Sequence, residues 1–236
     1  MNIPNSKVIT QSLSEDLINV AKKMDLKVIF LKNKHQIMIE GPSEWLAKIY
    51  LPWNLNFNRE SGFSVKNNFH FGLVLIRAGQ AVVGHFVDCV LLDHKVFRAY
   101  MVRQKQGKSQ VKYLKTKGKS RAGSRIRLGE TERFFEEINS RLTDYSSNFP
   151  IDLWGISCGK TLWPFYFKSE IAPPFTQNQE NLIPIPFHIA HASFESLEKV
   201  GIQLGKFHLL LSETGKTILA DFESAKSETE SESDNW

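Results

Sequence analysis

The segment from Phe71 to Arg103 constrains the fold more than any other part of this sequence. It holds three apolar runs, at 71–77, 81–92 and 95–103, separated only by residues 78–80 and 93–94. Runs of that length rich in Val, Leu, Ile and Phe read as strands. Links that short can join strands only as antiparallel neighbours, so a three-stranded meander is expected.

The elements around the meander fill out a mixed α/β (α+β) class with helices packed on a sheet. Downstream, Phe134, Ile138 and Leu142 recur at four-residue spacing with Phe135 beside them, which predicts a helix opening at Glu130 and Glu132 with Glu136, Glu137 and Arg141 outside. Acids in its first turn suit the helix dipole. Residues 151–157 read as a buried strand, 161–167 as an aromatic element broken by Pro164, 194–204 as a helix, and 206–213 as a last strand or helix end.

Upstream, residues 14–24 predict a short helix with Ser14 as its N-cap, and 26–31 and 35–40 predict two strands. From Glu44 to Asn68 the pattern weakens amid Trp45, Pro42, Pro52, Trp53 and repeated Asn, so irregular structure packed by aromatics is expected there. The organisation is read as an N-terminal α/β segment at 1–68, a main domain at 69–220 and an acidic tail at 221–236.

Charge is concentrated in two places. Between His94 and Gly129 lie twelve Lys or Arg and no acid, whereas residues 221–236 hold six acids against Lys226 alone. Removing that tail's −5 from the chain's +5 leaves +10 for the other residues. The tail has too little apolar surface to fold. Three glycines, Gly107, Gly118 and Gly123, and no hydrophobic period predict a long flexible loop over 104–128.

A lysine-rich loop is often only a solvated connector. Twelve like charges repel one another unless phosphates neutralise them, and releasing condensed counterions then drives association, so RNA or DNA contact is the preferred reading. Gln110 stands in the middle of this loop. A glutamine amide is no acid or base; it donates and accepts hydrogen bonds, or its backbone N–H meets an oxyanion. Gly107 before it removes bulk where the loop would enter a narrow site.

Other chemistries fit less well. Gly-Lys-Ser or Gly-Lys-Thr begins at Gly107, Gly118, Gly159 and Gly215, but a phosphate-cradling loop needs a glycine five residues earlier, where Val102, Tyr113, Trp154 and Leu210 stand. His188 and His191 have no carboxylate or cysteine at ligand spacing. Asp88, Asp93 and Asp152 could converge on two divalent ions, though capping and solvation suit them better. Cys89 and Cys158 lack metal or disulfide spacing and read as reduced thiols. With no signal-peptide core and an apolar region interrupted by Arg77, His85 and Asp88, the chain is read as soluble and cytoplasmic.

The stretch "HKVFRAYMVRQKQGKSQ" (94–110), with "SRAGSRIRLGETE" (120–132) after it, resembles the Vms-like release factors. These are relatives of the ankyrin-repeat and zinc-finger peptidyl-tRNA hydrolase and, more distantly, of the Gly-Gly-Gln domain of eukaryotic and archaeal peptide-chain release factors. The likeness runs from about Phe71 to Leu142, and at most to Phe167. It implies an RNase-H-like mixed sheet with flanking helices. It also implies a loop that reaches the peptidyl-transferase centre of a stalled large ribosomal subunit and frees the nascent chain, by ester hydrolysis or by cutting the 3′ end of the tRNA.

By that likeness Gly107 and Gln110 match the catalytic Gly-x-x-Gln. Arg103, Lys105, Lys108, Ser109, Lys112, Lys119, Arg121, Arg125 and Arg127 would meet rRNA and peptidyl-tRNA. No cofactor, metal, DNA or membrane partner is implied, and a monomer is expected. Lys108 replaces the family's second glycine and Val111 a small polar residue, so the tip is bulkier than usual. A noncatalytic rRNA- or tRNA-binding module is the alternative reading, and a nuclease using Asp88 a third.

Overall fold

A computed structural model describes residues 3–77, 79–99 and 119–218, with the backbone alone over 119–128. In chain order the elements are β1 (Ser6–Ile9), α1 (Gln11–Lys23), β2 (Lys27–Leu31), β3 (Gln36–Glu40), β4 (Trp45–Tyr50), β5 (Leu55–Asn58) and β6 (Gly62–Val65). Then come β7 (His70–Arg77), β8 (Gln80–Val87), β9 (Val90–Arg98), α2 (Lys119–Asn148), β10 (Leu153–Cys158) and α3 (Trp163–Phe167). The last described elements are β11 (Leu182–Pro184), α4 (Phe194–Leu204), β12 (Phe207–Leu211) and α5 (Glu213–Ile218). Two compact units result, one of residues 1–67 with 202–236 and one of 68–201. The class is mixed α+β.

The first unit is an antiparallel sheet in the order β1-β12-β4-β3-β2. Leu17, Ile18 and Ala21 of α1 are buried in one cluster with Ile37, Ile39, Ile49 and Leu209. The helix starts earlier than expected, because Thr10 is its N-cap: the Thr10 hydroxyl accepts from the Leu13 N–H at 3.2 Å. Ser14 lies inside the helix, fully buried, and its hydroxyl donates to the Thr10 carbonyl at 3.0 Å. Both residues carry a capping hydroxyl, so sequence could not choose between them.

Residues 44–68, expected to be irregular, hold three strands instead. In β5, Leu55 and Phe57 point inward while Asn56 and Asn58 face solvent, the alternation of a half-buried strand. Asparagine is a poor strand former, and the buried partner at every second residue outweighs it.

The second unit has a sheet ordered β11-β10-β7-β8-β9. Strands β7, β8 and β9 form the expected antiparallel meander, and β10 adds to β7 in parallel with β11 beyond it. Three meandering strands with two parallel ones added beside the first make the RNase-H-like sheet. One face is covered by α2: Phe134, Phe135, Ile138, Leu142 and Tyr145 join Val74, Ile76, Val83, Trp154 and Tyr166 in one core.

The turn between the second and third meander strands falls five residues before its expected place. Asp88 and Cys89 have φ of 48° and 67°, the left-handed pair that closes a two-residue hairpin. The Asp88 carboxylate steadies it, accepting from the backbone N–H groups of Phe69 at 2.9 Å and Asn68 at 3.1 Å. Asp93 and His94 therefore lie within β9, not in a turn.

Candidate functional site

Strands β7, β9, β10 and β11 all point the same way, since β8 reverses between β7 and β9. Their carboxyl ends, Arg77, Arg98, Cys158 and Pro184, therefore share one edge of the sheet. From that edge the chain leaves β9 towards the basic stretch, and α2 then carries it across the sheet to the opposite edge, where Phe149 stacks on His70 and β10 begins. The edge of an open sheet beyond its carboxyl ends is where α/β folds place ligands.

Both roots of the stretch are fixed. On the outgoing side Phe97 is 3% exposed and the Ala99 N–H donates to the Gly79 carbonyl at 3.0 Å. On the returning side Phe134 and Phe135 of α2 are buried in one core with Phe97. Near its far end α2 is bolted to β9 through Asp93, whose carboxylate accepts the Tyr145 hydroxyl at 2.7 Å and pairs with the Arg141 guanidinium. Burial works against the charged form of Asp93, but Tyr145 and Arg141 outweigh it and hold the carboxyl below its ordinary value. Burial and the same carboxylate push the Tyr145 phenol well up.

Of the residues implied to act, Arg103, Lys105, Gly107, Lys108, Ser109, Gln110 and Lys112 lie outside the described residues. Lys119, Arg121, Arg125 and Arg127 stand on the first turns of α2, so the flexible loop expected to reach residue 128 gives way to helix from Lys119. The helix therefore has no acid in its first turn, and Glu130 and Glu132 sit in its interior. Arg, Lys, Leu and Ala favour helix strongly enough to carry it through Gly123 and Gly129. Asn139, unremarked in the sequence, is fully buried on α2, and its amide donates to the Tyr166 and Ile171 carbonyls at 3.2 and 2.8 Å.

The rival sites do not assemble. Among the described residues no group of His, Cys, Asp and Glu could hold a metal ion. Asp88 and Asp152 serve backbone N–H groups, Asp152 accepting from His70 at 3.0 Å, and Asp93 serves the α2 bolt. His188 and His191 are exposed. Both cysteines are free; burial pushes Cys89 to about 11 and Cys158 to about 12, so neither offers a thiolate at neutral pH. A groove of about 290 Å³ beside α2 mixes Lys95, Arg133 and Arg141 with Glu136, Glu137 and Asp144, which suits water better than a polyanion.

A family model described as the Bacteroidetes VLRF1 release factor matches residues 71–211, more than half of the chain. The chain belongs to that family. The VLRF1 match takes in the meander from its second residue, the basic stretch, α2 and the parallel strands, and it gives the protein a release-factor role in association with the ribosome. No curated protein matches. A solved structure titled "Vms1 mitochondrial localization core" is similar at 12% identity over 87% of this chain and 91% of its own, with a TM-score of 0.41. A likeness that loose assigns neither activity nor residues. No described helix is long and apolar enough to cross a membrane.

Proposed function

We propose that this release factor frees nascent chains from peptidyl-tRNA on stalled large ribosomal subunits, as part of ribosome quality control in the cytoplasm. Gln110 positions the attacking nucleophile, either a water on the ester or a ribose 2′-hydroxyl when the tRNA 3′ end is cut. Gly107 gives the backbone room to approach. Arg103, Lys105, Lys108, Ser109 and Lys112, with Lys119, Arg121, Arg125 and Arg127 on α2, meet phosphates of rRNA and the acceptor end. No titrating group or metal is needed in this scheme, because a neutral amide orients a nucleophile through hydrogen bonds and the ribosome supplies the crowded site.

The observation that supports it best is that residues 100–118, carrying Gly107 and Gln110, follow and precede two anchored elements, β9 and α2. A catalytic tip on a long segment loses precision unless its roots are rigid. Buried Phe97 and the Ala99–Gly79 hydrogen bond on the outgoing side, and buried Phe134 and Phe135 of α2 on the returning side, supply that rigidity. Lys108 in the place of a family glycine favours a second reading, a noncatalytic module that only occupies the ribosome.

One experiment separates the readings. Stalled large subunits bearing labelled peptidyl-tRNA are incubated with the wild-type chain and with Gln110→Ala. Peptide release lost in the variant while subunit binding persists supports the hydrolase; binding without release by either protein leaves the module. Sequencing the tRNA 3′ end then distinguishes hydrolysis from cleavage. Release abolished by a chelator but intact in Gln110→Ala would point to Asp88 chemistry instead.

A further inference from the structure

At the edge where the basic stretch is rooted, β10 ends in Cys158 and the chain turns through Gly159, Lys160 and Thr161 into α3. The Gly-Lys-Thr tripeptide has no phosphate-loop spacing, yet it stands exposed at the carboxyl end of a central strand. The short helix α3 then presents an unusual surface: Phe165 is 51% exposed, with Lys160 before it and Lys168 after it also exposed. Neither ammonium is in an ion pair with a described residue. From Leu153 to Gln179 the only acid is Glu170.

The support under this surface is rigid. The Trp163 indole N–H donates to the Cys158 carbonyl at 3.2 Å, which fastens the start of α3 to the strand end. Tyr166, fully buried on the opposite side of the helix, meets the Phe135 ring of α2 edge-on at 6.0 Å. The Asn139 amide holds the Tyr166 carbonyl of α3 and the Ile171 carbonyl just beyond it. With Tyr166 locked inward, Phe165 is held outward, an aromatic face that folding leaves half in water.

We propose that Phe165, Lys160 and Lys168 form a second RNA contact, which takes an unpaired stretch of the RNA engaged by the basic segment. A base stacks on Phe165 while the two ammonium groups sit against the flanking phosphates. Stacking on a fixed aromatic is tolerant of sequence and needs a base free of its duplex, and lysines on both sides supply the backbone charge complement. The same sheet edge serves both contacts, so the α3 surface sets where the unpaired strand lies relative to the segment carrying Gln110. This inference rests on the RNA-binding reading above.

The test uses the full chain and a fluorescent single-stranded oligoribonucleotide, with a blunt RNA duplex as the comparison. Phe165→Ala is expected to weaken single-strand binding roughly 5- to 100-fold, to leave duplex binding unchanged, and to be rescued by Phe165→Tyr. The pair Lys160→Gln with Lys168→Gln is expected to flatten the slope of log affinity against log salt by about 1.4, at roughly 0.7 per single-strand phosphate. All three residues are exposed, so thermal unfolding should not move. Arg125→Gln with Arg127→Gln reports on the basic segment separately. Affinity lost in that pair but unaltered, in strength and salt slope, by the Phe165 and lysine variants overturns the second contact and leaves the function standing. No RNA binding by the wild-type chain overturns both.

Discussion

Asp93 on β9 and Tyr145 on α2 meet through a 2.7 Å hydrogen bond, with Arg141 closing on the same carboxylate. Tyr145→Phe removes the hydroxyl and keeps the ring, which packs against Arg141 at 5.0 Å and His85 at 5.6 Å. Asp93 is partly exposed, so solvent screens the bond, and its loss costs about 1 kcal/mol. In a chain of this size that lowers Tm by roughly 2–4 °C. Faster amide exchange in α2, read by mass spectrometry, should accompany the shift; an unchanged melt and exchange pattern would show that the bolt is ornamental.

His85 makes stability pH-dependent, and the sign comes from its surroundings. Burial, and then the neighbouring His70, lower its pKa, while Asp93 opposes them more weakly. His70 Nδ1 lies 3.0 Å from His85 Nε2, a contact with room for one proton. The unfolded chain therefore takes up the proton first, near pH 6.5. Stability is whole above that value and falls as pH drops below it. Burial moves His35 and His208 the same way. Urea unfolding at pH 7.5 and 5.5 should show the loss, and His85→Gln should reduce it; equal midpoints at both pH values would contradict the assignment.

Much of the second unit was legible because its signals are local. The run from Phe71 to Arg77 is apolar at every position but Gly72 and the final arginine, and Phe134, Phe135, Ile138 and Leu142 mark the buried stripe of α2. The 88–89 turn escaped because Asp-Cys is a poor hairpin pair, stabilised here by backbone N–H groups that lie about twenty residues upstream. The first eleven residues of α2 escaped because cations and glycines carry no apolar period to read. The residues of β12 read as a strand or a helix end, and its place between β1 and β4 is a long-range pairing with no local signature.

Gly72 marks a close approach that the meander pattern alone does not reveal. A Cβ at this position would lie 2.2 Å from the Trp154 ring, on the neighbouring β10. An indole buried to 2% exposure cannot swing aside. Gly72→Ala should cost about 1–3 kcal/mol, the usual range for overpacking a core. Gly72→Ala with Trp154→Phe should recover part of that loss in a denaturant titration, and failure of the pair to recover any would place the strain elsewhere.

Lys108 tests the catalytic reading from the opposite direction to Gln110→Ala. If its bulk slows entry of the tip, Lys108→Gly raises the rate of peptide release from stalled large subunits, though one phosphate contact is lost and subunit binding becomes less salt-sensitive. Release and binding falling together would instead mean that the lysine charge matters more than the missing glycine.

Gly129 lies inside the helical run that α2 starts at Lys119. In a helix interior glycine is disfavoured by about 1 kcal/mol against alanine, and here an added Cβ would meet nothing within 4 Å. Gly129→Ala should therefore stabilise the chain by roughly 0.5–1 kcal/mol, partly by restricting the unfolded state. The gain should appear as a higher urea midpoint with an unchanged slope. If residues 119–129 formed a loop and the helix opened only at Glu130, the substitution would bring no such gain, and the cations Lys119, Arg121, Arg125 and Arg127 would lose the rigid presentation that the RNA contact requires.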